Sequence, residues 1–110
     1  LEAVRDWGYA PDYVMAMWLS LQQSAPNDYV VATGQLHSVK DVLDVAFGTI
    51  GLDWRRHVRQ DPTLVRPREP VPLTGNAAKA RTCLGWRPSL DFEGMIREMT
   101  LAEVARLERR

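Results

Sequence analysis

The sequence predicts a small mixed α/β unit of helices and short strand, and three observations predict it. Apolar residues recur at helical spacing in two separate stretches, residues 14–21 and 39–50. A run rich in β-branched and aromatic residues, "DYVVAT", lies between them, and a long proline-bearing segment without periodicity comes after. Pro11 suits the first turn of a helix, and Val14, Met17, Trp18 and Leu21 follow on one apolar face, so the first helix is expected over residues 11–23. "SAPND" breaks it. "DYVVAT" then reads as a short buried strand, closed by Gly34. Ser38 reads as an N-cap with Asp41 three residues on as its capping-box partner. Val39, Val42, Leu43, Ala46 and Ile50 line one face of a second helix over 39–50, which Gly51 stops.

Residues 52–75 lose this order apart from a short strand signal at "HVRQ", and prolines recur at 62, 67, 70 and 72. An irregular segment of this length inside a compact domain is functional or disordered. Asn76 can cap a short helix carrying Ala77, Ala80 and Leu84, with Gly85 past its end and Pro88 beyond. A last helix starts near Asp91, carries Phe92, Ile96 and Met99, and runs into a charged tail, "AEVARLERR", expected to fray.

With 110 residues and 45% hydrophobic content, the chain is one domain or a piece of one. Its 14 basic and 14 acidic residues cancel, which leaves no broad positive field for nucleic acid or an anionic membrane. No apolar run approaches the roughly 20 residues that span a bilayer, and no leader signal is present, so a cytoplasmic, soluble protein is expected. The single cysteine, Cys83, beside Leu84 on the short helix, reads as a buried structural thiol. The opening "LEAVRDWG" has no initiator methionine and reads as the inside of a longer protein.

No glycine-rich phosphate loop, metal-ligand cluster or nucleophile elbow appears, so no catalytic residue and no metal site is assigned. His37 and His57 read as exposed or locally bonded histidines. Two readings stay open for the charged groups. In one, Arg5 and Asp6 form a surface ion pair, Trp7 is a core anchor, and Arg66, Arg68 and Glu69 are ordinary loop charges. In the other, Arg5 and Arg66 converge on a diphosphate, because planar guanidinium forks suit phosphate at any working pH, and Glu69 accepts from a ribose diol.

The stretches "RDWGYAPDYVMAMWLSLQQ", "PNDYVVATG", "HSVKDVLDVAFGTIGLDW", "RPRE" and "KARTCLGWRPSLDFEGMIREM", in this order, resemble the C-terminal part of the GDP-mannose 4,6-dehydratases, which are extended short-chain dehydrogenases/reductases. The resemblance runs from about Val4 to Met99. It implies the substrate-binding region of such an enzyme without its Rossmann domain, and residues 52–75 as a ligand-side loop. It also implies NADP-dependent conversion of GDP-mannose to GDP-4-keto-6-deoxymannose by the full-length protein, with the catalytic and cofactor residues upstream. No cofactor is then expected to bind this chain alone, which is expected to be inactive in isolation. Residue by residue, the resemblance assigns Arg5 and Arg66 to the diphosphate and Glu69 to the ribose, and gives Arg68 no role. Its implied partners are GDP-mannose or GDP, an N-terminal Rossmann domain and further copies of the chain.

The chain departs from the family pattern around "RPRE". Thr63, Leu64 and Val65 stand where the family has arginine, tyrosine and phenylalanine, Pro70 and Val71 replace valine and aspartate, and Asn76 replaces an aspartate cap. A different expectation from the same residues is a non-catalytic interaction module, or a diverged remnant of another nucleotide-sugar enzyme.

Overall fold

The computed structural model describes residues 1–67 and 71–110. Strand β1 (Val4–Asp6) leads into helix α1 (Ala10–Leu21). Strand β2 (Leu36–Ser38) runs directly into helix α2 (Val39–Thr49), and α3 (Ala78–Leu84) and α4 (Phe92–Glu108) complete the order. The two strands pair antiparallel, with Val4 opposite Ser38, Arg5 opposite His37 and Asp6 opposite Leu36. Neither strand is visible as periodicity, because three residues are too few to show an alternation.

The expected strand at "DYVVAT" is not hydrogen-bonded as one. Residues 28–33 have Tyr29 and Val31 packed on the core and Val30 turned outward, but among the described residues no strand lies alongside to form a ladder. The alternation was real; the partner was missing. Gly34 then takes a left-handed φ of 79°.

Helix α1 forms where expected, with its apolar face turned the other way. Asp12 and Ala16 are the buried residues, while Val14, Met17, Trp18 and Leu21 are 61%, 65%, 56% and 80% exposed. The helix carries two stripes, and the chain buries the small one. Ala16 packs with Ala77, Ala80, Leu84 and Trp86, flanked by Tyr13, Leu19, Tyr29 and Val31, because alanines on α1 and α3 let the two backbones approach closely. Trp86, 2% exposed, fills this core and donates its indole N–H to the Asp12 carbonyl at 2.7 Å. The Asp12 carboxylate in turn accepts from the Ser89 amide at 2.9 Å and the Ser89 hydroxyl at 2.5 Å. A buried carboxylate is thereby satisfied by donors from the other end of the chain.

The capping box of α2 is formed in full. Ser38 Oγ accepts from the Asp41 amide at 3.0 Å, and the Asp41 carboxylate accepts from the Ser38 amide at 2.8 Å. Gly51, at φ 73°, follows the helix end as expected. Helix α2 packs on α4, whose Met95 and Ile96 are buried. "HVRQ" forms no strand: the His57 amide donates to the Trp54 carbonyl at 2.9 Å, which closes a 3₁₀ turn over Trp54–Arg56, and the Val58 amide reaches the same carbonyl at 3.0 Å. A second 3₁₀ turn covers Pro62–Leu64, capped by Asp61, which accepts from the Thr63 amide at 2.9 Å.

Asn76 Oδ1 accepts from the Ala78 amide at 3.0 Å at the start of α3. At its end, Gly85 has φ 66° and turns the chain so that the Trp86 amide reaches the Ala80 carbonyl at 3.3 Å. A Cβ there would meet nothing within 4 Å, so Gly85→Ala is expected to cost only the left-handed backbone penalty, about 1–2 kcal/mol. A urea midpoint lowered at constant m-value is the check. Cys83 is exposed, contrary to the buried thiol expected, because α3 turns Ala80 and Leu84 to the core and position 83 falls on another side. The charged tail does not fray: α4 continues to Glu108, supported by the Glu103–Arg106 ion pair and by Arg109 Nε donating to the Ala105 carbonyl.

The resulting body is a slab of 52 × 41 × 19 Å with a Cα radius of gyration of 16.9 Å. A compact domain of this length would have a radius of about 13 Å. The excess goes with a small core and a wide apolar surface.

Candidate functional site

The site begins at β1, whose alternation turns Arg5 outward and Asp6 inward. Arg5 is exposed, and its Nη1 donates to the Val4 carbonyl at 2.8 Å. Asp6 was expected to form half of a surface ion pair; instead its carboxylate gathers four donors. Oδ1 accepts from the Thr33 amide at 2.9 Å and the Thr33 hydroxyl at 2.5 Å, and Oδ2 accepts from the amides of Gly34 at 2.9 Å and Gly75 at 3.2 Å. Partial burial pushes the Asp6 carboxyl up, but these hydrogen bonds outweigh it and hold the group below its ordinary value of 3.8. Trp7 is half-buried outside the core cluster, and its indole N–H donates to the His37 carbonyl at 2.9 Å.

The Asp6–Gly75 bond draws the end of the irregular segment up to the strand that carries Arg5. Glycine is needed at 75, since a Cβ there would stand 2.3 Å from the Ala32 Cβ. At the other end, the Leu52 amide donates to the Phe47 carbonyl at 2.9 Å and the Trp54 indole donates to Asp44 at 2.6 Å. The segment is therefore pinned at both ends, to α2 and to β1. Arg66 is exposed, in the stretch after the Pro62–Leu64 turn. The described hydrogen bonds bring Gly75, rather than Arg66, beside β1. Glu69, with Arg68 and Pro70, lies outside the described residues.

The two histidines are both stacked. The His37 ring lies on Phe92 with centroids 3.8 Å apart, and His57 on Phe47 at 5.8 Å. Sequence reasoning missed a cleft of about 430 Å³ walled by Trp7, Thr33, His37, Arg81, Arg87 and Phe92, since these residues are spread over 86 positions and share no motif. Among the described residues, no group of three His, Cys, Asp or Glu is placed to hold a metal ion. No described helix is long and apolar enough to cross a membrane.

A dinucleotide cofactor does not fit the strand-to-helix junction that the described residues offer. At the start of α2, the Ser38 and Asp41 amides are both committed to the capping box, and the Asp41 carboxylate stands where a phosphate would have to sit. Hydrogen bonding from Ser38 holds that carboxyl below its ordinary value, against a smaller upward push from burial, so the charge there is negative.

The same architecture recurs in solved enzymes. The structure of RMD from Pseudomonas aeruginosa complexed with NADPH matches with a TM-score of 0.80 at 19% identity, over 96% of this chain and 34% of that one. The likeness is one of fold, and it defines the class: the chain has the small helix-strand fold that makes up about a third of that enzyme. The model of the GDP-mannose 4,6 dehydratase family matches residues 1–99. GDP-mannose 4,6 dehydratase 1 of Arabidopsis thaliana is 52% identical over 99 residues, which are 90% of this chain and 27% of the relative. GDP-mannose 4,6 dehydratase of Homo sapiens is 40% identical over a gapped alignment of 121 positions, which covers 94% of this chain and 32% of the relative. The chain belongs to the GDP-mannose 4,6-dehydratase family, and it spans about a quarter to a third of the length of these relatives.

Proposed function

We propose that this chain is the nucleotide-sugar-binding portion of a GDP-mannose 4,6-dehydratase. In this reading the whole chain acts as one unit and residues 52–75 form its ligand-side loop. Arg5 and Arg66 hold the diphosphate of GDP-mannose, and Glu69 accepts from the ribose hydroxyls. The observation that carries the reading is the bond from Gly75 to Asp6, which ties the segment bearing Arg66 to the strand bearing Arg5 in a member of this family. Chemistry on the hexose, from GDP-mannose to GDP-4-keto-6-deoxymannose with NADP, then falls to the remainder of the dehydratase, and the isolated chain turns over no substrate. Catalysis requires the reacting carbon to be held against the nicotinamide, and half of a clamp does not do this.

The face of α1 bearing Val14, Met17, Trp18 and Leu21 supports the same reading. Four large apolar side chains side by side in water favour a covering surface, and we assign that surface to the dehydratase's cofactor domain. A cytoplasmic location goes with a lone exposed thiol. In a full-length enzyme, Arg66→Ala is expected to weaken GDP binding about tenfold or more, the value of one charge-assisted hydrogen bond, and Glu69→Ala to weaken it by a smaller factor. Unchanged GDP affinity in both variants, measured by calorimetric titration, would overturn the clamp. Turnover by the purified 110-residue chain would overturn the division of labour. The exposed α1 face also suits a second reading, a non-catalytic interaction module that meets another protein or a second copy, and unchanged affinity in both variants would favour it.

A further inference from the structure

We propose that the cleft between β2 and the α3–α4 connection is a second ligand site, which binds a small ring-bearing organic phosphate through Arg81 and Arg87. Both arginines line the cleft, and neither side chain has a hydrogen-bond, ion-pair or ring partner in the described structure. Their backbones are nevertheless held firmly. Arg81 follows the fully buried Ala80 on α3. Arg87 stands between Trp86, whose indole N–H is fixed on the Asp12 carbonyl, and Ser89, whose amide and hydroxyl are fixed on the Asp12 carboxylate. Two cations presented on rigid supports lose little further order when an anion arrives.

The shape of the cleft narrows the ligand class. Its volume, about 430 Å³, lies within the roughly 300–1,000 Å³ of ordinary small-molecule clefts. One guanidinium fork satisfies a carboxylate; two forks from separate segments suit the three free oxygens of a phosphomonoester. Trp7 and the stacked His37–Phe92 pair supply an aromatic wall for a ring. His37 Nε2 is buried there without a hydrogen-bond partner, an unusual state for a buried nitrogen. The one carboxylate on the wall, Asp91, is occupied in capping α4, accepting from the Gly94 amide at 2.7 Å, so the two arginines dominate the local charge. Arg5 and Arg66 are not part of this lining, so the site stands apart from the diphosphate clamp and does not depend on it.

The test is a titration of the 110-residue chain followed by amide and indole NMR, with phenyl phosphate, inorganic phosphate and benzoate as probes. Phenyl phosphate is expected to give saturable shifts at the Trp7 indole and the Phe92 amide. Arg81→Gln combined with Arg87→Gln is expected to weaken it about tenfold or more, in line with the loss of charge-assisted hydrogen bonds. Both residues are exposed, so the fold should survive; either single variant serves if the double one does not. Absence of saturable shifts at the cleft, or equal affinity in the arginine variants, overturns the site. Benzoate binding as tightly as phenyl phosphate overturns the phosphate assignment, and inorganic phosphate doing so overturns the role of the ring.

Discussion

Trp86→Ala is expected to lower the folding free energy by about 3–5 kcal/mol, the usual cost of removing a buried large aromatic side chain. Among the described residues the indole is the largest fully buried group, and the other buried members of its cluster are three alanines and one leucine, so little can collapse into the space it leaves. Its N–H also donates to the Asp12 carbonyl, and loss of that hydrogen bond adds about 1 kcal/mol more. Against a typical total of about 5–15 kcal/mol, this one change removes roughly a quarter or more of the stability. Trp86→Phe should lie between the variant and the parent, since it restores most of the volume and none of the hydrogen bond. Urea unfolding followed by circular dichroism measures both; an alanine variant within about 1 kcal/mol of the parent would contradict the assigned core.

Asp6→Ala is expected to cost about 2–3 kcal/mol, the range for hydrogen bonds to a charged group, and to release residues 71–75 from β1. The carboxylate also predicts a pH dependence of definite sign. Its folded value lies below the ordinary 3.8, so the unfolded chain takes up the proton more readily. The stabilisation is therefore fully present above pH 3.8 and is lost as pH falls through the lower folded value. Asp6→Asn keeps an acceptor but has no charge to lose, so its urea midpoint should fall less steeply on acidification below pH 3.8 than the parent's. Equal slopes would mean that the four donors do not stabilise the ionised form. Hydrogen exchange at Gly75 should speed up in both variants, which separates release of the loop from a general loss of stability.

The parts of this fold that were legible are those decided within a few residues. The Ser38–Asp41 box and the Gly51 and Gly85 stops are each read from one turn of chain, whereas the N-cap of α3 falls at Ala77, one residue beyond the expected Asn76. Helix α1 was legible as a helix but not in orientation, because it has two stripes and only the bulkier one resembles a core; the alanines of α3 choose the other. Alternation at Tyr29, Val30 and Val31 was legible, yet a strand exists only with a neighbour, and the short ladder went to residues 4–6 and 36–38. At the candidate site, the chemistry of Arg5, Arg66 and Glu69 left two readings open, and only the resemblance chose between them. Asp6, which organises that neighbourhood, was invisible because its partners lie 27, 28 and 69 positions away. The arginines of the cleft share that difficulty.

The bonds that join Asp12 to Trp86 and Ser89 link positions 74 and 77 apart. No contiguous half of the chain therefore owns this core: Ala16 lacks its fully buried partners without residues 77–86, and those residues have no lid without α1. Closing so long a circuit costs only about 0.6 kcal/mol more for each doubling of its length, but the whole cost falls before any core contact repays it. The core around Ala16 and Trp86 consequently closes only when α1 meets residues 77–89, and during synthesis it waits for those residues to appear. Such a unit can be exchanged or inherited whole, but it cannot be assembled piecemeal.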